Sequence, residues 1–210
     1  SASPTTVPTT VLTPVDTDPP PPRLTPRPAR KPAPPASTTA TKVPPRPGPP
    51  SYEPILAFGD SVMLAATPEL NAAFGPAITV DAEVGRHVNT ALTRLQQYRT
   101  SGALARYRTV VVDLGTNGAF TPGQFAQMSA ILAGVPRVVV YDVHANRSWT
   151  AADNATIIQG VAAHHPQMTL VDWNTPAATV PGLLYSDGIH PNAAGSAVYT
   201  RLLQQALAGH

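Results

Sequence analysis

The chain has 210 residues, of which 42% are hydrophobic and 12% charged, with a net charge of +2, 26 prolines and no cysteine. The absence of cysteine excludes disulfides and thiolate metal sites, and no apolar run reaches the roughly 18 residues of a membrane-spanning helix. The net charge divides unevenly. Residues 1–50 carry six Lys or Arg against two Asp, whereas residues 51–210 carry eight Arg against ten Asp or Glu. The basic character therefore belongs to the first fifty residues, and the remainder lacks the basic face of a nucleic-acid binder.

Residues 1–50 also hold 17 of the prolines and no aromatic residue. Such a segment buries too little apolar surface to offset chain entropy, which predicts an extended, polyproline-like linker. Its positive charge leaves two readings open, a solvated tail or one lying near an anionic surface. The opening SASPTTVPTT has neither the charged nor the apolar region of a signal peptide, so export would require a signal or membrane part outside this chain. Residues 51–210 are the size of one domain with a single core, expected to be monomeric.

Within that domain the pattern alternates. An apolar run at 53–59 predicts a strand, and 61–74 a helix despite Pro68. Strands follow at 77–82, 109–115, 137–143 and 168–173, the third and fourth with the continuous apolar runs of strands covered on both faces. Helices are predicted at 88–99, where Val88, Leu92 and Leu95 recur at helical spacing, and at 122–133, 150–165 and 191–207. Pro122 and Pro191 suit the first helical position. The stretch between the fifth strand and the last helix, about 17 residues, reads as a loop, longer than most α/β connections. Strand and helix in regular alternation predict an α/β fold, a three-layer α/β/α sandwich of flavodoxin-like type with a five-stranded parallel sheet.

In such sheets the ligand site lies at the carboxyl ends of the strands. There the sequence places Asp60 and Ser61, then Gly85 and Arg86, then the turn Gly115-Thr116-Asn117-Gly118, then His144, Arg147 and Trp149, and finally SDGIHPN at 186–192. Asp187 and His190 are three residues apart. A carboxylate on one ring nitrogen leaves the other free to act as a base. Ser61, at a helix start, supplies a hydroxyl beside backbone N–H groups that favour a developing oxyanion. Asn117 and the Gly85 N–H are candidate further donors. No metal ligand set, nucleotide motif or other cofactor site is implied.

FGDSV, VGR, LGTNG and DGIHPN resemble, in order and spacing, the four sequence blocks of SGNH hydrolases, over essentially all of 53–208. DAEVGR, LGTNG and HANRSWTAADNATI look like the SGNH domains fused behind membrane acyltransferase-3 domains, as in peptidoglycan O-acetyltransferases. Arg147, Trp149 and Asn154 match the Arg-x-Trp and following Asn of that subfamily. The resemblance implies Ser61 as nucleophile, His190 as base and Asp187 as its orienter. It implies an oxyanion hole of the Ser61 N–H, the Asn117 amide and the Gly85 N–H. It further implies an extracytoplasmic domain, tethered to a membrane acyltransferase domain that supplies the acyl donor, with an envelope glycan as acceptor.

Each of these residues has a plainer alternative. Ser61 also suits a helix cap, Asn117 a turn, and Asp60 a structural hydrogen-bond acceptor. Arg86 and Arg147 either steer a substrate or form ion pairs; His144 and Trp149 either touch substrate or pack. His87, His164, His165 and His210 read as surface or helix-end histidines. For the whole domain the expectation is a serine O-acyltransferase. The alternatives are a secreted carbohydrate O-acetyl esterase and a non-catalytic glycan-binding module.

Overall fold

The computed structural model describes residues 52–209. The linker expected over residues 1–50 lies outside the described residues, as does His210.

Five strands, β1 (Ile55–Gly59), β2 (Ile78–Ala82), β3 (Thr109–Asp113), β4 (Arg137–Tyr141) and β5 (Met168–Val171), form one sheet in the order β2-β1-β3-β4-β5. Every pairing is parallel. The helices are α1 (Ser61–Phe74), α2 (Val88–Thr100), α3 (Pro122–Leu132), α4 (Thr150–Ala163), α5 (Asn174–Thr179) and α6 (Ala193–Ala208). The expected three-layer α/β/α architecture is the one observed.

Period-two alternation decides which face each strand residue serves. Leu56, Phe58, Val110, Val112, Val138 and Val140 meet Leu92, Leu95, Phe125, Met128 and Ile157 of α2, α3 and α4. Ile55, Ala57, Val111, Val139 and Tyr141 meet Met63, Leu70, Tyr199 and Leu203 of α1 and α6. The sheet is thus buried on both sides, and β1 and β3 are wholly buried. Strand order reverses between β1 and β3. The crevice at their carboxyl ends, where Gly59 pairs with Asp113, is therefore the expected position of a site.

Three details differ from the sequence reading. Strands β3, β4 and β5 stop two residues early, because apolar runs report burial and not pairing. Leu114 and Val143 remain buried although the chain has left the ladder. The stretch after β5 contains the short helix α5, whose starting N–H groups are held by one distant and one local carboxylate. Asp142 accepts from the N–H groups of Trp173 and Asn174, and Asp172 accepts from that of Thr175. Finally, Pro191 does not open α6. Asn192 is the cap, accepting from the N–H groups of Ala194 and Gly195, while Pro191 forms an antiparallel bridge with Leu184.

This bridge brings α6 against the preceding segment so closely that only glycine fits at 195. A Cβ there would stand 2.0 Å from the Leu183 carbonyl oxygen. Gly195→Ala is expected to lower stability by about 1–3 kcal/mol, measured as a lower urea midpoint. Gly123→Ala, with no atom within 4 Å of the added methyl, leaves the midpoint unchanged or raised.

Candidate active site

The β1–α1 junction turns within a single residue. Asp60 is the helix cap: its side chain accepts from the Val62 N–H at 3.0 Å, and its own N–H donates to the Asp113 carbonyl at 3.1 Å. A Cβ at Gly59 would fall 2.6 Å from that of Met63, so glycine is required for the close approach of strand and helix. With Asp60 serving as cap, Ser61 is left as the first helical residue, 8% exposed, its hydroxyl free for another partner.

That partner comes from the 184–191 segment. Gly188, at φ 66°, donates to the Tyr185 carbonyl, and the Tyr185 N–H donates to that of His190. This tight turn folds Asp187 back on His190. One Asp187 oxygen accepts from the N–H groups of Ile189 and His190; the other lies 2.8 Å from His190 Nδ1. His190 Nε2 lies 2.9 Å from Ser61 Oγ. An ionised carboxylate only accepts, so Nδ1 carries the ring proton and Nε2 of the neutral ring accepts from the serine hydroxyl.

Asn117 sits after β3 between Gly115 and Gly118, both with positive φ. Its Nδ2 is buried and has no partner. Leaving a buried amide donor unpaired costs about 1–3 kcal/mol, and such a donor is suited to a group that arrives with substrate. Gly85 lies exposed in the turn after β2, at φ 70°.

No protein-family model matches the chain. Curated proteins do. It is 34% identical over 155 residues to YrhL of Bacillus subtilis and 33% over 150 residues to the peptidoglycan O-acetyltransferase OatA of Listeria monocytogenes, covering 73% and 70% of this chain. It spans 23% of the length of each. Among solved structures, the catalytic domain of Streptococcus pneumoniae OatA superposes with a TM-score of 0.59 at 22% identity, covering 76% of this chain and 94% of that one. A protein of the lipolytic G-D-S-L family from Veillonella parvula gives 0.61 at 14% identity, covering 76% and 100%. The domain is an SGNH-fold relative of the peptidoglycan O-acetyltransferases.

Around its edge the SGNH domain uses several of the expected site residues as braces. Arg86, 6% exposed, pairs with Asp81 at 2.7 Å and Glu83 at 3.3 Å and donates to the carbonyls of Gly59 and Asp81. It also covers the Phe58 ring. Of its two readings the ion pair is the one observed, and it ties the end of β1 to β2. The Trp149 indole donates to the Gly115 carbonyl at 3.0 Å, supporting the turn that carries Asn117. Asn154 closes the loop after β4 by bonding both backbone groups of Val143. His144 Nδ1 lies 3.1 Å from the side-chain oxygen of Asn174. Arg147 is exposed and has no ion pair among the described residues.

Two buried features were not singled out in the sequence. Asp153, apparently one more polar residue of an amphipathic helix, accepts from the Phe120 N–H and holds the far end of the Asn117 turn. Asp113 lies under the β1–α1 junction and accepts from the Tyr199 hydroxyl at 2.7 Å. Burial and the neighbouring Asp60 charge raise the Asp113 pKa well above the carboxylate range, against the pull of that hydrogen bond. Asp60 is also raised by burial, opposed by the Val62 N–H and by Thr116. Burial and the closeness of the two carboxyls thus disfavour charge here, more strongly at Asp113 than at Asp60. A cavity of about 400 Å³ lined by Tyr52, Arg108 and Arg137 lies at the opposite edge of the sheet, so volume does not mark this site.

Asp187 behaves in the opposite sense. The His190 side chain, then the N–H groups of Ile189 and His190, pull its pKa down to about 2 from 3.8. The fold favours the carboxylate, so its contribution is complete above the ordinary value and fades as pH falls through about 2. Carbon-detected NMR titration should find Asp187 still ionised at pH 3. Titration near pH 4 would mean that the turn does not hold the carboxylate as described.

Proposed function

We propose that residues 51–210 form a serine O-acyltransferase domain. It moves an acyl group, specifically acetyl, from a donor to a hydroxyl of a cell-envelope glycan. The observation that carries this reading is the hydrogen-bonded series Asp187–His190–Ser61 beside the unpaired Asn117 amide. The peptidoglycan O-acetyltransferase names of its relatives support the glycan acceptor.

In the first half-reaction Ser61 Oγ attacks the acyl carbonyl carbon while His190 Nε2 takes its proton. Asp187 steadies the imidazolium. The tetrahedral oxyanion takes hydrogen bonds from Asn117 Nδ2, the Ser61 N–H and the Gly85 N–H, in a site already oriented before charge develops. The tetrahedral intermediate then collapses, the bond to the leaving oxygen breaks, that oxygen takes the proton from His190, and the acyl group remains on Ser61. In the second half a glycan hydroxyl gives its proton to His190 and attacks the acyl carbon, restoring Ser61. Two moderate barriers replace one high one.

Within this proposal residues 1–50 are a tether and the acyl donor is supplied by a membrane acyltransferase domain, which places the domain outside the cytoplasm. Among the described residues no helix is long and apolar enough to cross a membrane. Hydrolysis is the second reading. The His190 and Asp187 side chains are 33% and 47% exposed, and an open base admits water in place of the sugar.

Steady-state kinetics on an activated acetyl ester test the assignment. Ser61→Ala and His190→Ala are expected to lower turnover by roughly 10⁴-fold or more. Asn117→Ala should lower kcat by roughly 10²–10³ with KM unchanged, the loss of one oxyanion donor. Near-normal rates in a folded Ser61→Ala protein would remove the serine from the chemistry. An unchanged kcat with a raised KM would make Asn117 a binding residue instead.

A further inference from the structure

Tyr185 is the most exposed large hydrophobic side chain on the segment that carries Asp187 and His190, at 59%. Its backbone is fixed on both sides, since its N–H donates to His190 and its carbonyl accepts from Gly188. It lines a cavity of about 180 Å³ together with Ala65, Pro68 and Glu69 of α1 and Asn192. Ala65 lies four residues after Ser61, hence one helical turn away on the same face. The cavity therefore lies along α1, about one helical turn from Ser61, and next to the segment that carries His190.

Its chemistry is mixed in a particular way. Neither the Tyr185 hydroxyl nor the Glu69 carboxylate has a hydrogen bond or ion pair to any described residue. An aromatic side chain and a free carboxylate acceptor thus line one cavity. The carboxylate repels anions and disfavours an acyl chain. The volume is below the roughly 300–1,000 Å³ of a site for a drug-sized ligand, room for one ring. A pyranose has an apolar C–H face for stacking and hydroxyl donors at its edge.

We infer that this cavity is a subsite for one uncharged pyranose ring of the acceptor glycan, with Tyr185 as its stacking face and Glu69 as acceptor for its hydroxyls. The assignment rests on the proposed transfer to a glycan and adds the place where the acceptor is held. A ring seated here lies one helical turn from Ser61, so the sugar that reacts is its neighbour in the polymer or the same ring through an extended hydroxyl.

The test is direct binding, which needs no acyl transfer. A soluble oligomer of β-1,4-linked N-acetylglucosamine is titrated by calorimetry into the Ser61→Ala protein, with and without Tyr185→Ala, Tyr185→Trp or Glu69→Ala. Tyr185→Ala is expected to raise Kd about tenfold, the order of one lost aromatic contact. Tyr185→Trp retains binding, and Glu69→Ala weakens it. Circular dichroism checks the fold of each. Equal Kd with and without Tyr185, or no saturable binding by the parent, would overturn the subsite. Ester turnover by the chain with Ser61 intact is read separately. If turnover is absent while Tyr185-dependent binding persists, acyl transfer falls and the sugar subsite stands.

Discussion

At the junction of β1 and α1 the chain leaves a buried strand and enters a helix with one residue between them, and the geometry of the whole edge follows from how that is done. Gly59 allows strand and helix to approach, and Asp60 takes the capping duty that a serine at such a junction would ordinarily perform. Ser61 is released from structural hydrogen bonding as a result. Its hydroxyl stands at a helix N-terminus, where backbone N–H groups and the helix dipole favour negative charge. His190 meets it there from a segment 129 residues away. Without the cap at Asp60, the serine oxygen would be drawn to the helix end and away from the imidazole.

The acidic residues divide the work by environment. Asp187 is exposed, hydrogen-bonded and ionised, which suits a group that orients an imidazole and offsets its positive charge. Asp60 and Asp113 are buried together, and burial raises the pKa of both, that of Asp113 the more. The hydrogen bond from the Tyr199 hydroxyl to Asp113 links α6 to the end of β3, beneath Ser61. The same helix begins at Asn192, two residues after His190, and that cap side chain also donates to the carbonyls of Gly182 and Leu184. His190 is thus carried on a segment anchored at both ends, whereas Asn117 is held by glycine-permitted turns braced by Trp149 and Asp153.

Much of this was readable from residue order. Alternating apolar runs and helical periods gave the parallel sheet, and the topology then brought Ser61, Asn117, Asp187 and His190 to one edge. What stayed hidden has physical causes. Helix α5 is only six residues long, and besides the local Asp172–Thr175 contact its start is held by Asp142, whose carboxylate belongs to another strand's end. For Arg86 and Trp149 the residue order leaves substrate contact and bracing equally open, and their bonds to the carbonyls of Gly59 and Gly115 appear only once the chain is folded. Asp113 reads as the polar end of a strand. Its partner Tyr199 is 86 residues away, and nothing in the sequence pairs them.

The central claim is that Ser61 carries the acyl group. Intact-mass spectrometry after brief exposure to an activated acetyl ester, with peptide mapping of the adduct, tests it most directly. The account predicts a single acetyl group on Ser61, absent in Ser61→Ala, and released faster when a soluble glycan is added. A protein that consumes the ester with no adduct on Ser61, or with the adduct on another residue, would contradict it.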